Sequence, residues 1–309
     1  MTQTTRGILA MIGACTVWGL SSIYYKQLAD VPPLTILAHR TLWSMVFFAL
    51  VLTGQGKFGQ LISALRDRRS LMIIAGASLM ISVNWYFFIY SVSIGHATQA
   101  SLGYYIFPLV AVVLGRIVFG ERLGPMQMAA VLLAAIAVAL LTWGLGVAPW
   151  ISLTLAFSFG LYGVLKKWLD VGPVVSVTAE VVLIAPISLF VLWHGGLAMD
   201  TPSRTAMLVF SGPLTGLPLI MFSYASRRIP MATMGLLQYM NPTLQFLVAV
   251  LLFREPFGIW YAVAFGMIWT ALAIYTAAGF NAASRRRKTA SSTVSTTVTN
   301  SSVEAPANP

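Results

Sequence analysis

The chain has 309 residues, 58% hydrophobic and 9% charged, with a net charge of +11, a balance that excludes a water-soluble domain because only a bilayer solvates so much apolar surface. Its Lys and Arg sit in short clusters between apolar runs, which argues against a nucleic-acid partner, and the one cysteine, Cys15, excludes an intramolecular disulfide.

A membrane-spanning helix needs roughly 17–25 apolar residues. Ten such stretches are predicted, at 7–25, 36–53, 71–91, 99–118, 125–142, 149–165, 175–194, 206–225, 233–253 and 258–278. Each is expected to be a helix, because an isolated strand leaves its backbone unsatisfied in lipid. The first contains "IGAC" (Ile12–Cys15), but the apolar run continues to Tyr25 and only Arg6 precedes it, which does not fit a cleaved signal. The second carries Arg40 near one end, and residues 54–70, with "LRDRR", read as a loop. The third holds Asn84 and Trp85 near its middle, where the amide needs a partner on another helix or on a substrate.

The fourth span contains Tyr105 and Pro108; proline inside a helix removes a hydrogen bond and bends the axis. Glu180 lies about one turn into the seventh. The ninth repeats the proline with Gln238, Tyr239, Asn241, Pro242 and Gln245. Gln238, Asn241 and Gln245 follow i, i+3, i+7 spacing, so they share one face, suited to a cavity wall or to helix packing. "RRRK" (Arg285–Lys288) then leads into a Ser- and Thr-rich stretch, 281–309, which reads as a disordered cytoplasmic tail.

With the N-terminus placed inside, 15 of the 19 Lys and Arg fall on inner segments and 4 on outer ones. That split predicts two cytoplasmic termini in a cell-membrane protein. The spans also repeat. "GYYIFPLVAVVLGRIVFGERLG" (103–124) returns as "LQYMNPTLQFLVAVLLFREPFG" (237–258), pairing Tyr105 with Tyr239, Pro108 with Pro242 and Glu121 with Glu255 at an offset of 134. Upstream the offset is about 140, pairing Gly19 with Gly160, Lys26 with Lys167 and Arg40 with Glu180. The copies are an odd number of spans apart, so they are expected to cross in opposite directions. The expected fold is an all-α membrane protein with ten transmembrane helices arranged as two inverted-topology five-helix repeats, 1–145 and 146–280. Inversion sends Glu121 to the cytoplasmic side and Glu255 to the exterior, where local capping or pairing is their expected role.

Several strings resemble the RarD group of the EamA-type drug/metabolite transporter superfamily: "AHRTLWS" (38–44), "NWYFFIYSVSIGHATQASLGYYIFPL" (84–109), "PWISLTLAFSFGLYGVLKK" (149–167) and "LLQYMNPTLQFLVAVLLFREPF" (236–257). The resemblance covers about 1–280. It implies ten helices, two inverted halves and export or exchange of small molecules, with the substrate generally undefined. Phe107 departs from the family, which commonly has a polar residue before this proline.

The expected function is a secondary transporter that moves a small organic molecule outward by alternating access. The candidate substrate residues are Asn84, Trp85, Tyr105, Gln238, Tyr239, Asn241 and Gln245. Arg40 and Glu180 either snorkel to the nearest interface or support gates, and Glu180 is the candidate site for a coupling proton. Pro108 and Pro242 are the expected helix kinks. No metal or cofactor is expected, because no ligand spacing or nucleotide motif occurs. The alternative is a membrane scaffold or sensor that transports nothing.

Overall fold

The computed structural model describes residues 2–120, 124–146, 149–226, 228–229 and 237–278, and these form helices with no strand. In chain order they are α1 (Gln3–Lys26), α2 (Pro33–Gln55), α3 (Phe58–Arg66), α4 (Arg68–Ser93), α5 (Ala97–Phe119), α6 (Pro125–Leu145), α7 (Trp150–Lys167), α8 (Pro173–Gly195) and α9 (Pro202–Ser226), then α10 (Met240–Leu252) and α11 (Ile259–Ala278). Among the described residues, eight helices (α1, α2, α4, α5, α6, α8, α9 and α11) are long and apolar enough to cross a bilayer, and α10 is a shorter apolar helix. α7 occupies the sixth predicted stretch, but Lys166 and Lys167 in its last turn lower its apolarity. Glu121 and the tail 281–309 lie outside the described residues.

Helix ends follow local chemistry. The Thr2 hydroxyl caps α1 by accepting from the Thr5 N–H (3.2 Å). The Asp67 carboxylate caps α4 by accepting from the Ser70 N–H (2.9 Å), and its bonds to the Ser70 hydroxyl and N–H hold that carboxyl below its ordinary range. α2, α6 and α8 open on prolines, whose missing N–H costs nothing in a first turn. α5 takes its cap from a distant residue. The Glu255 carboxylate accepts from the N–H groups of Ala97 and Thr98 and from the Thr98 hydroxyl, each at 2.7 Å.

The 54–70 stretch is a correction. It contains α3, because Leu61, Ala64 and Leu65 form an apolar face that packs on Leu52, Ile74, Val175 and Ala179. Twelve residues join α2 to α4, whereas six join α8 to α9. Those six extra residues account for the fall in the repeat offset from about 140 to 134.

The two prolines behave differently. α5 runs unbroken through Pro108, whereas the helical backbone is interrupted at Tyr239, three residues before Pro242. α10 then ends in a π turn, Val248–Leu252. After α5 the chain turns through Gly120 at φ 64°, and after α10 it turns through Arg254 at φ 53°. A side chain is strained there. Arg254 is exposed and makes no ion pair or hydrogen bond to a described residue. Arg254→Gly is therefore expected to stabilise the protein by about 1 kcal/mol, seen as a raised unfolding temperature of the purified protein.

The bundle packs α1 against α9 and α10, α7 against α4 and α5, and α2 against α8 and α9. α2 and α8 are antiparallel: the start of α2 lies by the end of α8, where His39 Nε2 meets the Leu197 carbonyl oxygen (2.8 Å), and Leu52, near the other end of α2, clusters with Val175 and Ala179. Small residues allow close crossings. A Cβ added at Gly19 would lie 2.6 Å from Leu244, one at Gly160 2.9 Å from Leu114, and one at Gly103 2.7 Å from the Ser152 carbonyl oxygen. Large apolar side chains such as Leu50, Ile117, Leu132 and Phe190 point outward, more than half exposed, as a lipid-solvated surface requires.

Candidate functional site

The helices enclose a cavity of about 310 Å³. Most of its wall is aromatic or aliphatic, and charge is concentrated at two places. Near the start of α2, Arg40 is 6% exposed. Its guanidinium lies 4.1 Å from the Trp85 ring centre and 5.7 Å from that of Tyr25. Its Nε has no hydrogen-bond partner among the described residues. Near the start of α8, Glu180 is 2% exposed and forms an ion pair with Lys166 (2.6 Å). The Tyr162 hydroxyl donates to the other carboxylate oxygen (3.1 Å). The Ser176 hydroxyl donates to Glu180 Oε1 (2.9 Å) and itself accepts from Lys166. Because α2 and α8 are antiparallel, these clusters sit at opposite ends of the cavity, roughly 12–15 Å apart at 1.5 Å rise per residue.

Neutral polar groups lie between them. Asn84 is 1% exposed. Its amide nitrogen donates to the Leu155 carbonyl (3.0 Å) and the Ser158 hydroxyl (3.2 Å), and its oxygen accepts from the Tyr104 hydroxyl (2.9 Å). The amide thus ties α4 to α5 and α7, the interhelical role, while still facing the cavity. Gln238, Asn241 and Gln245 line one wall together, as their spacing predicts. Gln245 Nε2 donates to Asn241 Oδ1 (2.9 Å), while Gln245 Oε1 is buried with no partner among the described residues.

Of the residues singled out by sequence, Asn84, Trp85, Gln238, Asn241, Gln245, Arg40 and Glu180 border this cavity. Tyr105 and Tyr239 do not, which corrects their grouping with the others. They line a second depression with Thr243 and Trp269, and Tyr105 bonds Thr243 Oγ1 (2.6 Å). Successive helix residues point about 100° apart, so when Tyr104 turns to the cavity Tyr105 turns towards α11. Arg40 and Glu180 are both buried within the bundle. Phe107 packs on Phe159 (4.7 Å between ring centres), so its position carries no polar contact. Sequence reasoning missed Tyr104, Tyr162 and Lys166 as cavity residues. The i, i+4 spacing of Tyr162 and Lys166 on one helix face was the available signal.

The chain matches the EamA-like transporter family twice, over residues 5–143 and 147–277. It belongs to that family. The protein RarD of Streptomyces exfoliatus is 40% identical over 287 residues, spanning 91% of each chain. The uncharacterized transporter YojE of Bacillus subtilis (strain 168) is 37% identical, over 89% of this chain and 94% of that one. A solved crystal structure superposes with a TM-score of 0.60 at 19% identity, over 88% of this chain and 97% of that one, which bears on the fold alone. This chain is thus a RarD-type EamA family member, a multi-pass membrane protein of a transporter family.

Proposed function

We propose that this EamA protein is a secondary transporter of the cytoplasmic membrane that exports a small organic molecule by alternating access. In this reading ten helices form two inverted halves, 1–145 and 146–280, with both termini in the cytoplasm, and the charge split between loops supports that orientation.

The observation that carries the reading is that equivalent positions make equivalent contacts across the bundle. Gly19 of α1 packs on Leu244 of α10, and its counterpart Gly160 of α7 packs on Leu114 and Val110 of α5. Lys26 lies over the Phe253 ring (5.6 Å), and its counterpart Lys167 lies over Phe119 (4.0 Å). α1 packs on α9 as α7 packs on α4. Each half thus begins with a helix lodged against the fourth membrane helix of the other half. Two halves related in this way can exchange shapes, which turns a central cavity from one face to the other. Tyr25 with Arg40, and Lys166 with Glu180, occupy equivalent positions at the two cavity ends, which suits a gate at each.

Export is tested by comparing metabolites inside and outside cells in which the protein is deleted or overexpressed. The transporter reading predicts a solute that accumulates inside on deletion and outside on overexpression. No such solute is expected of a scaffold or sensor. Proton coupling at Glu180 is tested in proteoliposomes with the solute so found: pH dependence should be lost in Glu180→Gln, and an unchanged pH profile would remove Glu180 as the proton site.

A further inference from the structure

We infer that Arg40 is an anion-binding group and that the cavity takes a small organic carboxylate, its charged end on the Arg40 guanidinium and its apolar body against the aromatic wall. This names a substrate class and rests on the transporter reading above.

Among the described residues the cavity is short of one negative charge. Arg40, Lys166 and Glu180 are the charged ones that line it, and they sum to one positive charge. Glu180 is committed to Lys166, Tyr162 and Ser176 at the far end. Among the described residues no carboxylate pairs with Arg40, and its guanidinium makes no hydrogen bond to any of them. A buried cation without a counter-charge is costly, more so at membrane depth.

The ring contacts lessen that cost without using the donors. Trp85 and Tyr25 attract the cation through their π faces, whereas the guanidinium N–H groups radiate in its own plane. What remains is a positioned fork whose geometry matches a carboxylate. A zwitterion would add an ammonium with no free carboxylate to receive it, and a cation would add a second unpaired positive charge. Neutral acceptors such as Gln245 Oε1 suit a hydroxyl or amide donor on the ligand body. At about 310 Å³ the cavity is at the small end for organic ligands.

The probes are 3-phenylpropionate, its neutral amide and L-phenylalanine, titrated by calorimetry against the full chain in lipid nanodiscs. The acid is expected to bind at least roughly tenfold more tightly than either of the others, as a charge-assisted pair requires. Arg40→Gln should abolish that preference, and Arg40→Lys should keep part of it. Equal affinity for acid and amide, no binding of the acid, or a preference that survives in Arg40→Gln would overturn the assignment. If Arg40→Gln does not fold, the acid-against-amide comparison on the unaltered chain decides alone. Binding needs no transport, so failure here leaves the metabolite comparison standing, and failure there leaves the binding result readable.

Discussion

Glu180→Leu is expected to destabilise the protein by about 3 kcal/mol, the low end for removing one partner of a buried ion pair. The low end applies because Lys166 keeps 24% exposure and recovers some solvation, whereas Glu180 is 2% exposed. The loss comes from stranding Lys166, and it also leaves the Tyr162 hydroxyl without its acceptor. Glu180→Leu combined with Lys166→Met should therefore recover most of the stability, because a well-packed apolar pair replaces the ions. Thermal unfolding of the two purified variants measures both effects. A double variant no more stable than Glu180→Leu would show that the cluster is not a coupled pair.

Gly212→Val is expected to cost about 3 kcal/mol, since overpacking against a fixed backbone leaves little room to relax. A Cβ at Gly212 would sit 2.4 Å from the Trp43 carbonyl carbon and 2.5 Å from its oxygen, both backbone atoms of α2. α9 would have to move away from α2, which carries Arg40. Gly163 of α7 provides the contrast, because nothing lies within 4 Å of its added Cβ. Gly163→Ala should leave stability unchanged or raise it by roughly 0.5–1 kcal/mol. Equal unfolding temperatures for Gly212→Val and the unaltered chain would mean that the α2–α9 crossing is looser than described.

Apolar runs made most helices legible in the sequence, because lipid permits few alternatives to a helix. The repeat was legible because Pro, Gly, Lys and Glu recur at fixed offsets. What escaped was local direction. Tyr104 and Tyr105 are adjacent and chemically alike, and only the rotation of α5 decides that Tyr104 meets Asn84 while Tyr105 meets Thr243. Lys166 stands next to Lys167 in the last turn of its helix, where sequence alone does not tell which of the two turns inward, yet it reaches to Glu180. α3 escaped because its apolar face is short and its flanks are charged. That no carboxylate among the described residues pairs with Arg40 could not be read from sequence, since it depends on Glu180 being engaged by other groups.

The inverted arrangement is tested most directly by the sidedness of two equivalent helix ends, Gln55 of α2 and Gly195 of α8. Both are exposed, and the native Cys15 is buried, so the unaltered chain serves as the unlabelled control. Single cysteines at these positions would be treated with a membrane-impermeant maleimide. The account predicts that Gly195→Cys reacts in intact cells and that Gln55→Cys reacts only after permeabilisation. Reaction of both from the same side would contradict it.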